Sequence, residues 1–285
     1  MRRSLLFIPA NTPAMLQNAD IFGADAVIFD LEDAVLVSEK DAARTLLNTF
    51  FSMPFPKTME RIIRINSVET PFYTLDLNEL ISDEIDTIML PKATETTVKD
   101  LSKRLKKIES EKKMEKTIKI IPIIERAVAL FQLDRIAKID RVDGLLLGAE
   151  DLATELEAVR TKAGQEILMA RSLVVAAAKA YGKDAIDTPF VDTKDDQGLI
   201  KDAQHAKALG MNAKACIHPN QIVYIHDVFN PSEEDIEAAL KIIKHKALPE
   251  NKHKGAFSLD GKMIDKPVIQ RAEKVIAKAK QWKII

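Results

Sequence analysis

Eight short runs of Ile, Val and Leu, each followed by a longer amphipathic or polar stretch, limit what this chain can fold into more than any other feature. They are Leu5–Pro9, Ala26–Asp30, Arg61–Asn66, Thr87–Pro91, Ile118–Glu125, Gly144–Ala149, Asp184–Thr188 and Ala213–His218. Near-continuous apolar strands separated by helices are the sequence form of a parallel sheet covered on both faces. Eight such units over about 220 residues match an α/β fold of the (β/α)8 TIM barrel kind, usually ~250 residues long, better than an open doubly wound sheet. The intervening periodicity is helical. In Thr97–Lys113, Val98, Leu101, Leu105 and Ile108 form one apolar stripe. In Asp195–Leu209, Leu199, Ala203, Ala206 and Leu209 do the same, and Gly210 suits a C-terminal cap.

After Ile225 the pattern changes. Pro231-Ser232-Glu233-Glu234 is a helix start, with Ser232 as cap for Glu233–Lys246. No new strand set is expected beyond it. Pro249–Gly255 is polar and reads as a mobile connection to a last segment, Ala256–Ile285. The expected organisation is a catalytic barrel over residues 1–226 and a C-terminal helical extension or lid over 227–285.

Composition narrows the function classes. With 43 acidic and 42 basic residues the net charge is -1, which provides no broad field for nucleic acid or an anionic membrane. The single cysteine, Cys216, cannot close an intramolecular disulfide and fits a reducing cytoplasm. Arg2-Arg3 before an apolar run resembles the start of a signal peptide, but Pro9 and Asn11-Thr12 interrupt the run too early. No apolar stretch approaches the ~20 residues of a membrane-spanning helix.

A barrel of this kind builds its site at the C-terminal ends of its strands, so polar residues closing apolar runs carry the most weight. They are Asp30-Leu31-Glu32-Asp33, Arg64-Ile65-Asn66, Pro91-Lys92, Glu125-Arg126 and Gly148-Ala149-Glu150-Asp151. Glu125 leaves a strongly apolar strand, where an unpaired charge is expensive, so an arginine (Arg64 or Arg126) or a metal must compensate. Glu125 with Asp151 on the next strand end, leaving positions open for substrate oxygens and water, suits Mg2+. The five histidines show no zinc spacing. Neither a Gly-x-Ser-x-Gly elbow nor a nucleotide-phosphate glycine loop occurs. His218 and Cys216 read as structural residues of the last strand.

Taken together, Arg3-Ser4-Leu5-Leu6-Phe7-Ile8-Pro9-Ala10-Asn11, Phe29–Val35, Arg64-Ile65-Asn66, Leu90-Pro91-Lys92, Ile124-Glu125, Gly148–Leu152, Cys216–Ile222 and Asp260–Pro267 resemble the motifs of the citrate lyase β-subunit family, in order and over the whole chain. The resemblance implies a trimeric barrel of the HpcH/HpaI aldolase and citrate lyase superfamily, with Mg2+, or Mn2+ in its place, held by Glu125 and Asp151. It further implies that Arg64, with Glu125, binds substrate oxygen, and that Glu32 and Asp33 hold metal-bound water or organise Arg64. Asp265, in the tail motif, would be a proton-transfer residue supplied to a neighbouring subunit. The implied reaction is cleavage or formation of a 3-hydroxyacyl thioester, such as citryl-CoA to oxaloacetate and acetyl-CoA, or a citramalyl or malyl analogue. Leu152–Glu157 looks more like the stand-alone members acting on free CoA esters. Two alternatives stay open: a class II aldolase acting on pyruvate-derived hydroxy acids without a thioester, and a complex subunit that works only with acyl-carrier partners.

Overall fold

The computed structural model describes residues 2–53, 59–248, 251 and 254–285. They form two compact units, Met1–His226 and Asp227–Ile285.

The first unit is a closed barrel of eight parallel strands: β1 Ser4–Pro9, β2 Ala26–Asp30, β3 Glu60–Arg64, β4 Thr87–Leu90, β5 Lys119–Ile124, β6 Gly144–Leu147, β7 Asp184–Asp187 and β8 Ala213–Cys216. Each strand pairs with the next, and β1 closes on β8 through Leu5 beside Ala215. The eight expected strands are therefore all present, each within two residues of the apolar run that announced it.

Side chains alternate across a strand, so every second residue enters the barrel. The interior layer consists of Leu5, Ile28, Ile62, Met89, Ile121, Ile123, Leu146, Ile186 and their small neighbours Ala26, Ala213 and Ala215, all essentially without solvent exposure. Each large aliphatic member contributes about 1.5–3 kcal/mol by leaving water. Two residues N-terminal to this layer the barrel floor turns polar. Glu60, Asp184 and Asp143 there bind the Arg2 guanidinium at 2.5–2.8 Å, and Thr87 donates to Glu60 at 2.6 Å.

The helix expected over Thr97–Lys113 runs from Glu95 to Glu111. It begins earlier because Thr94 and Thr97 cap each other reciprocally, each hydroxyl accepting the other's backbone N–H. The Asp196–Leu209 helix ends at Gly210, whose φ of 106° is the left-handed conformation that glycine adopts cheaply.

The second unit opens with the expected helix Glu233–Lys246, capped by Ser232 and Asp235. The polar connection expected over 249–255 falls mostly on residues outside those described. The expectation of no further strands is corrected here: β9 Ala256–Leu259 and β10 Lys262–Asp265 form an antiparallel hairpin. Its two-residue turn, Asp260-Gly261, has φ values of 50° and 74°, and Asp-Gly is a strong sequence signal for such a turn. Strands only four residues long and partly exposed leave little apolar pattern in the sequence, which is why the hairpin does not stand out there. Phe257, Ile264 and Ile269 form this unit's small core beneath the last helix, Lys266–Gln281.

Candidate active site

The period-two alternation that fills the barrel also builds its mouth. Two residues beyond Ile28, Ile62, Ile123, Leu146 and Ile186 come Asp30, Arg64, Glu125, Gly148 and Thr188, all lining a cavity of about 460 Å3. The cavity is walled on its apolar side by Phe7 and Ile217.

Asp30 and Arg64 occupy paired register positions at the ends of β2 and β3. Adjacency becomes a fork-to-fork bond: Nε and Nη2 of Arg64 donate to the two Asp30 oxygens at 2.7 and 2.6 Å. Nη1 lies farther from its partners, at 3.1 Å from Glu32 and 3.5 Å from Asp33. The guanidinium also stacks on Phe7, 5.0 Å from the ring centre. Burial opposes its charge, but Asp30, Glu32 and Asp33 outweigh burial and raise its pKa above the ordinary value.

Glu32 is held in place by the turn around it. Asp30 accepts the Glu32 N–H at 2.9 Å, and the buried Lys40 ammonium donates to the carbonyls of Leu31 and Glu32 at 2.6 Å each. The Glu32 carboxyl is buried, and burial, with Asp33 and Glu125 nearby, pushes its pKa up to about 8 against the pull of Arg64. Its Oε1 is buried without a hydrogen-bond partner and lies 3.7 Å from the Lys92 ammonium.

Glu125 follows β5 and is also buried. Neither expected arginine pairs with it: Arg64 is engaged by Asp30, and Arg126 reaches Glu69 at 2.9 Å. It accepts instead the backbone N–H of Lys92, whose φ of 50° aims that donor inward. Burial, and then the charges of Asp151 and Asp33, raise Glu125 to about 7 despite that hydrogen bond and Arg64. Its other oxygen lies over Gly148, where an added Cβ would come within 2.7 Å of Glu125 Cβ and Oε2. Asp151 is exposed in the first turn of the short helix Ala149–Glu155, at the cavity's rim.

Of the candidate residues, Asp33, Arg64, Glu125 and Asp151 thus line one cavity, with Glu32 bound to Arg64 beneath them. Asp265 belongs to the second unit, where its side chain accepts the Val268 N–H and caps the last helix. The motif residue Asn66 is structural, tied through backbone and side chain to the buried Asp76. His218 is exposed and its Nδ1 accepts the Asn220 N–H in a turn, while Cys216 is a buried core thiol pushed up to about 12 by burial. Asp30, Lys92 and Gly148 stand in the strand-end motifs of the sequence but carry no assigned role there, and Lys40 lies outside those motifs. Only the β2–β3 register brings Asp30 to Arg64, and only the folded backbone aims the Lys92 N–H at Glu125.

Asp30, Glu32, Asp33, Glu125 and Asp151 outnumber the nearby cations Arg64, Lys92 and Lys40, and two of these carboxyls are held above their ordinary range by burial and by one another. Such a set, with one buried oxygen lacking a donor, fits a hard divalent cation bound through oxygen. Among the described residues no three His, Cys, Asp or Glu side chains form a complete cage, so substrate or water oxygens would fill the remaining positions.

Residues 3–219 match the model of the HpcH/HpaI aldolase/citrate lyase family. The citrate lyase subunit beta of Haemophilus influenzae is 37% identical over 283 residues, spanning 98% of this chain and 97% of that protein. The mitochondrial citramalyl-CoA lyase of Mus musculus is 29% identical over 290 residues, spanning 98% of this chain and 86% of that protein. A crystal structure of the protein CitE from Mycobacterium tuberculosis, in complex with magnesium, acetoacetate and coenzyme A, superposes with a TM-score of 0.79 at 31% identity, covering 97% of each chain. With its closed eight-stranded barrel and a family match over most of its length, the chain belongs to the HpcH/HpaI aldolase/citrate lyase family.

Proposed function

We propose that this chain is a Mg2+-dependent carbon–carbon lyase that cleaves, or in reverse forms, a 3-hydroxyacyl thioester of the citryl-, citramalyl- or malyl-CoA type. The observation that carries the reading is a single cavity combining a locked guanidinium, Arg64, with surplus oxygen donors at Glu125 and Asp151. Relatives named as citrate lyase subunit beta and citramalyl-CoA lyase, and a solved relative holding magnesium, acetoacetate and coenzyme A, support it.

Glu125 and Asp151 would hold the metal, with Glu32 and Asp33 ordering the surrounding water and Arg64. A bound Mg2+ supplies Lewis-acid polarisation of the substrate's hydroxyl and carboxylate oxygens. Cleavage removes the hydroxyl proton, breaks the adjacent C–C bond to leave a keto acid, and sends the electron pair into a thioester enolate that is then protonated at carbon. Arg64 stabilises the oxygen charge that grows in this step, chiefly through Nη1, its most loosely held nitrogen. Asp265 takes the role of proton acceptor, brought to the cavity of a neighbouring protomer by the 227–285 lid in a cytoplasmic homotrimer. The higher identity to the citrate lyase subunits favours a citryl substrate and keeps a carrier-bound thioester as a second reading, against the stand-alone character expected from Leu152–Glu157.

The test is an assay of the purified protein against citryl-, citramalyl-, malyl- and methylmalyl-CoA, with Mg2+ and with chelator, beside pyruvate-derived hydroxy acids lacking a thioester. Metal-dependent release of a keto acid from a CoA ester is expected. Turnover of the hydroxy acids alone would replace the thioester reading with the aldolase one, and activity only with carrier protein and partner subunits would establish the subunit reading.

A further inference from the structure

Behind the cavity, between β7, β8 and two outer helices, lies a charge cluster that the proposed reaction does not use. Arg171, Asp187 and Lys214 are fully buried, and Asp202 closes the group. Arg171 binds both Asp187 oxygens at 2.9 and 3.0 Å and Asp202 at 2.6 Å. Lys214 spends its three ammonium protons on Asp187 at 2.6 Å, Asp202 at 2.6 Å and the carbonyl of Thr188 at 2.7 Å. Two cations meet two anions, so the cluster is neutral as a whole. Thr188 connects it to the cavity.

Thr188 is 1% exposed and lines the cavity. Its backbone is held by Lys214 at its own carbonyl and, two residues further on, by the buried Gln221 side chain donating to the Phe190 carbonyl at 2.8 Å. At the barrel mouth, between the ends of the adjacent strands β7 and β6, its Oγ1 accepts the N–H of Ala149 at 3.3 Å. Ala149 begins the helix that carries Asp151, and that helix starts at Gly148, which has no side chain to satisfy the free N–H groups of a first turn. The missing acceptor comes from the neighbouring strand.

We propose that Thr188 is a positioning residue for Asp151, serving as the side-chain cap that the helix Ala149–Glu155 lacks and anchored in that role by Lys214. The buried cluster then has a function: it holds Thr188 where its hydroxyl sets the start of the helix, and so the direction of the Asp151 carboxylate. The inference rests on the reading of Asp151 as a metal ligand. Partners that orient a metal-binding carboxylate typically change metal affinity by about 10–100-fold when removed.

The experiment measures Mn2+ affinity by electron paramagnetic resonance of the free ion for the whole protein and for Thr188→Val, Thr188→Ser and Asp151→Asn. Circular dichroism and Tm are taken alongside. Val keeps the shape of Thr and lacks the hydroxyl, and Thr188→Ala is the second variant should Val disturb packing. The expected result is Mn2+ binding weakened about tenfold or more in the Val or Ala variant at unchanged fold, with Ser close to wild type. Wild-type Mn2+ affinity in the Val and Ala variants, with Asp151→Asn weakened, would overturn the positioning role alone. Unchanged affinity in Asp151→Asn would overturn the metal assignment and the inference with it.

Discussion

Asp30 and Arg64 stand at matching register positions on adjacent strands, and the carboxylate grips two guanidinium nitrogens at 2.7 and 2.6 Å. An ammonium cannot reproduce that two-point hold while presenting a further N–H to a substrate. Arg64→Lys is therefore expected to lower kcat by about 10²–10³ with the barrel intact, as loss of a transition-state donor does. Near wild-type kcat in steady-state assays would reduce Arg64 to a structural partner of Asp30.

Gly148 leaves room for the Glu125 carboxylate, since a Cβ there would lie 2.7 Å from Glu125 Cβ, Glu125 Oε2 and Ile123 Cγ2. Gly148→Ala is expected to displace Glu125 and weaken Mg2+ binding by about 10–100-fold, measured by titration calorimetry. Glu125→Gln should do at least as much. Unaltered Mg2+ affinity in both variants would remove Glu125 from the metal site.

The barrel floor predicts a pH signature. Burial alone would raise Asp143, but the charge and hydrogen bond of Arg2 outweigh it and hold that carboxyl below its ordinary pKa. The resulting stabilisation is complete above the unfolded carboxyl value of about 3.9 and is lost as pH falls through the lower folded value. Arg2→Leu leaves Glu60, Asp143 and Asp184 without their shared cation. It is expected to cost about 2–3 kcal/mol in urea unfolding at pH 7, below the usual range for breaking a fully buried pair because the three carboxylates keep some contact with water. The deficit should shrink as the medium is acidified and the carboxylates protonate. A deficit that stayed constant from pH 5 down to pH 2 would contradict this account.

Asp265 caps the last helix through the Val268 N–H, a role that by itself costs about 1 kcal/mol when lost. If it also serves a neighbouring protomer, co-expressed Asp265→Asn and Glu125→Gln chains should form mixed oligomers with activity well above either variant alone. Verified mixed oligomers without activity would sink the shared site.

The sequence by itself pointed to the barrel, because eight apolar runs separated by helices must be buried in a parallel sheet covered on both faces, and their number and spacing match a closed sheet better than an open one. It also determined which carboxylates gather at the mouth, since Glu32, Asp33, Glu125 and Asp151 each follow an apolar run closely. What it did not determine is who pairs with whom. Arg64 had Glu32, Asp33 and Glu125 as plausible partners in the chain, and strand register chose Asp30. Glu125 had two arginines to choose from, and the left-handed backbone of Lys92 supplied an N–H instead. The link from Lys214 through Thr188 to the helix bearing Asp151 joins positions more than 60 residues apart, and only closure of the barrel brings them within hydrogen-bonding distance. Local periodicity encodes which face of a strand is buried; the partner of a polar group on that face depends on its neighbours' register, which exists only once the sheet has formed.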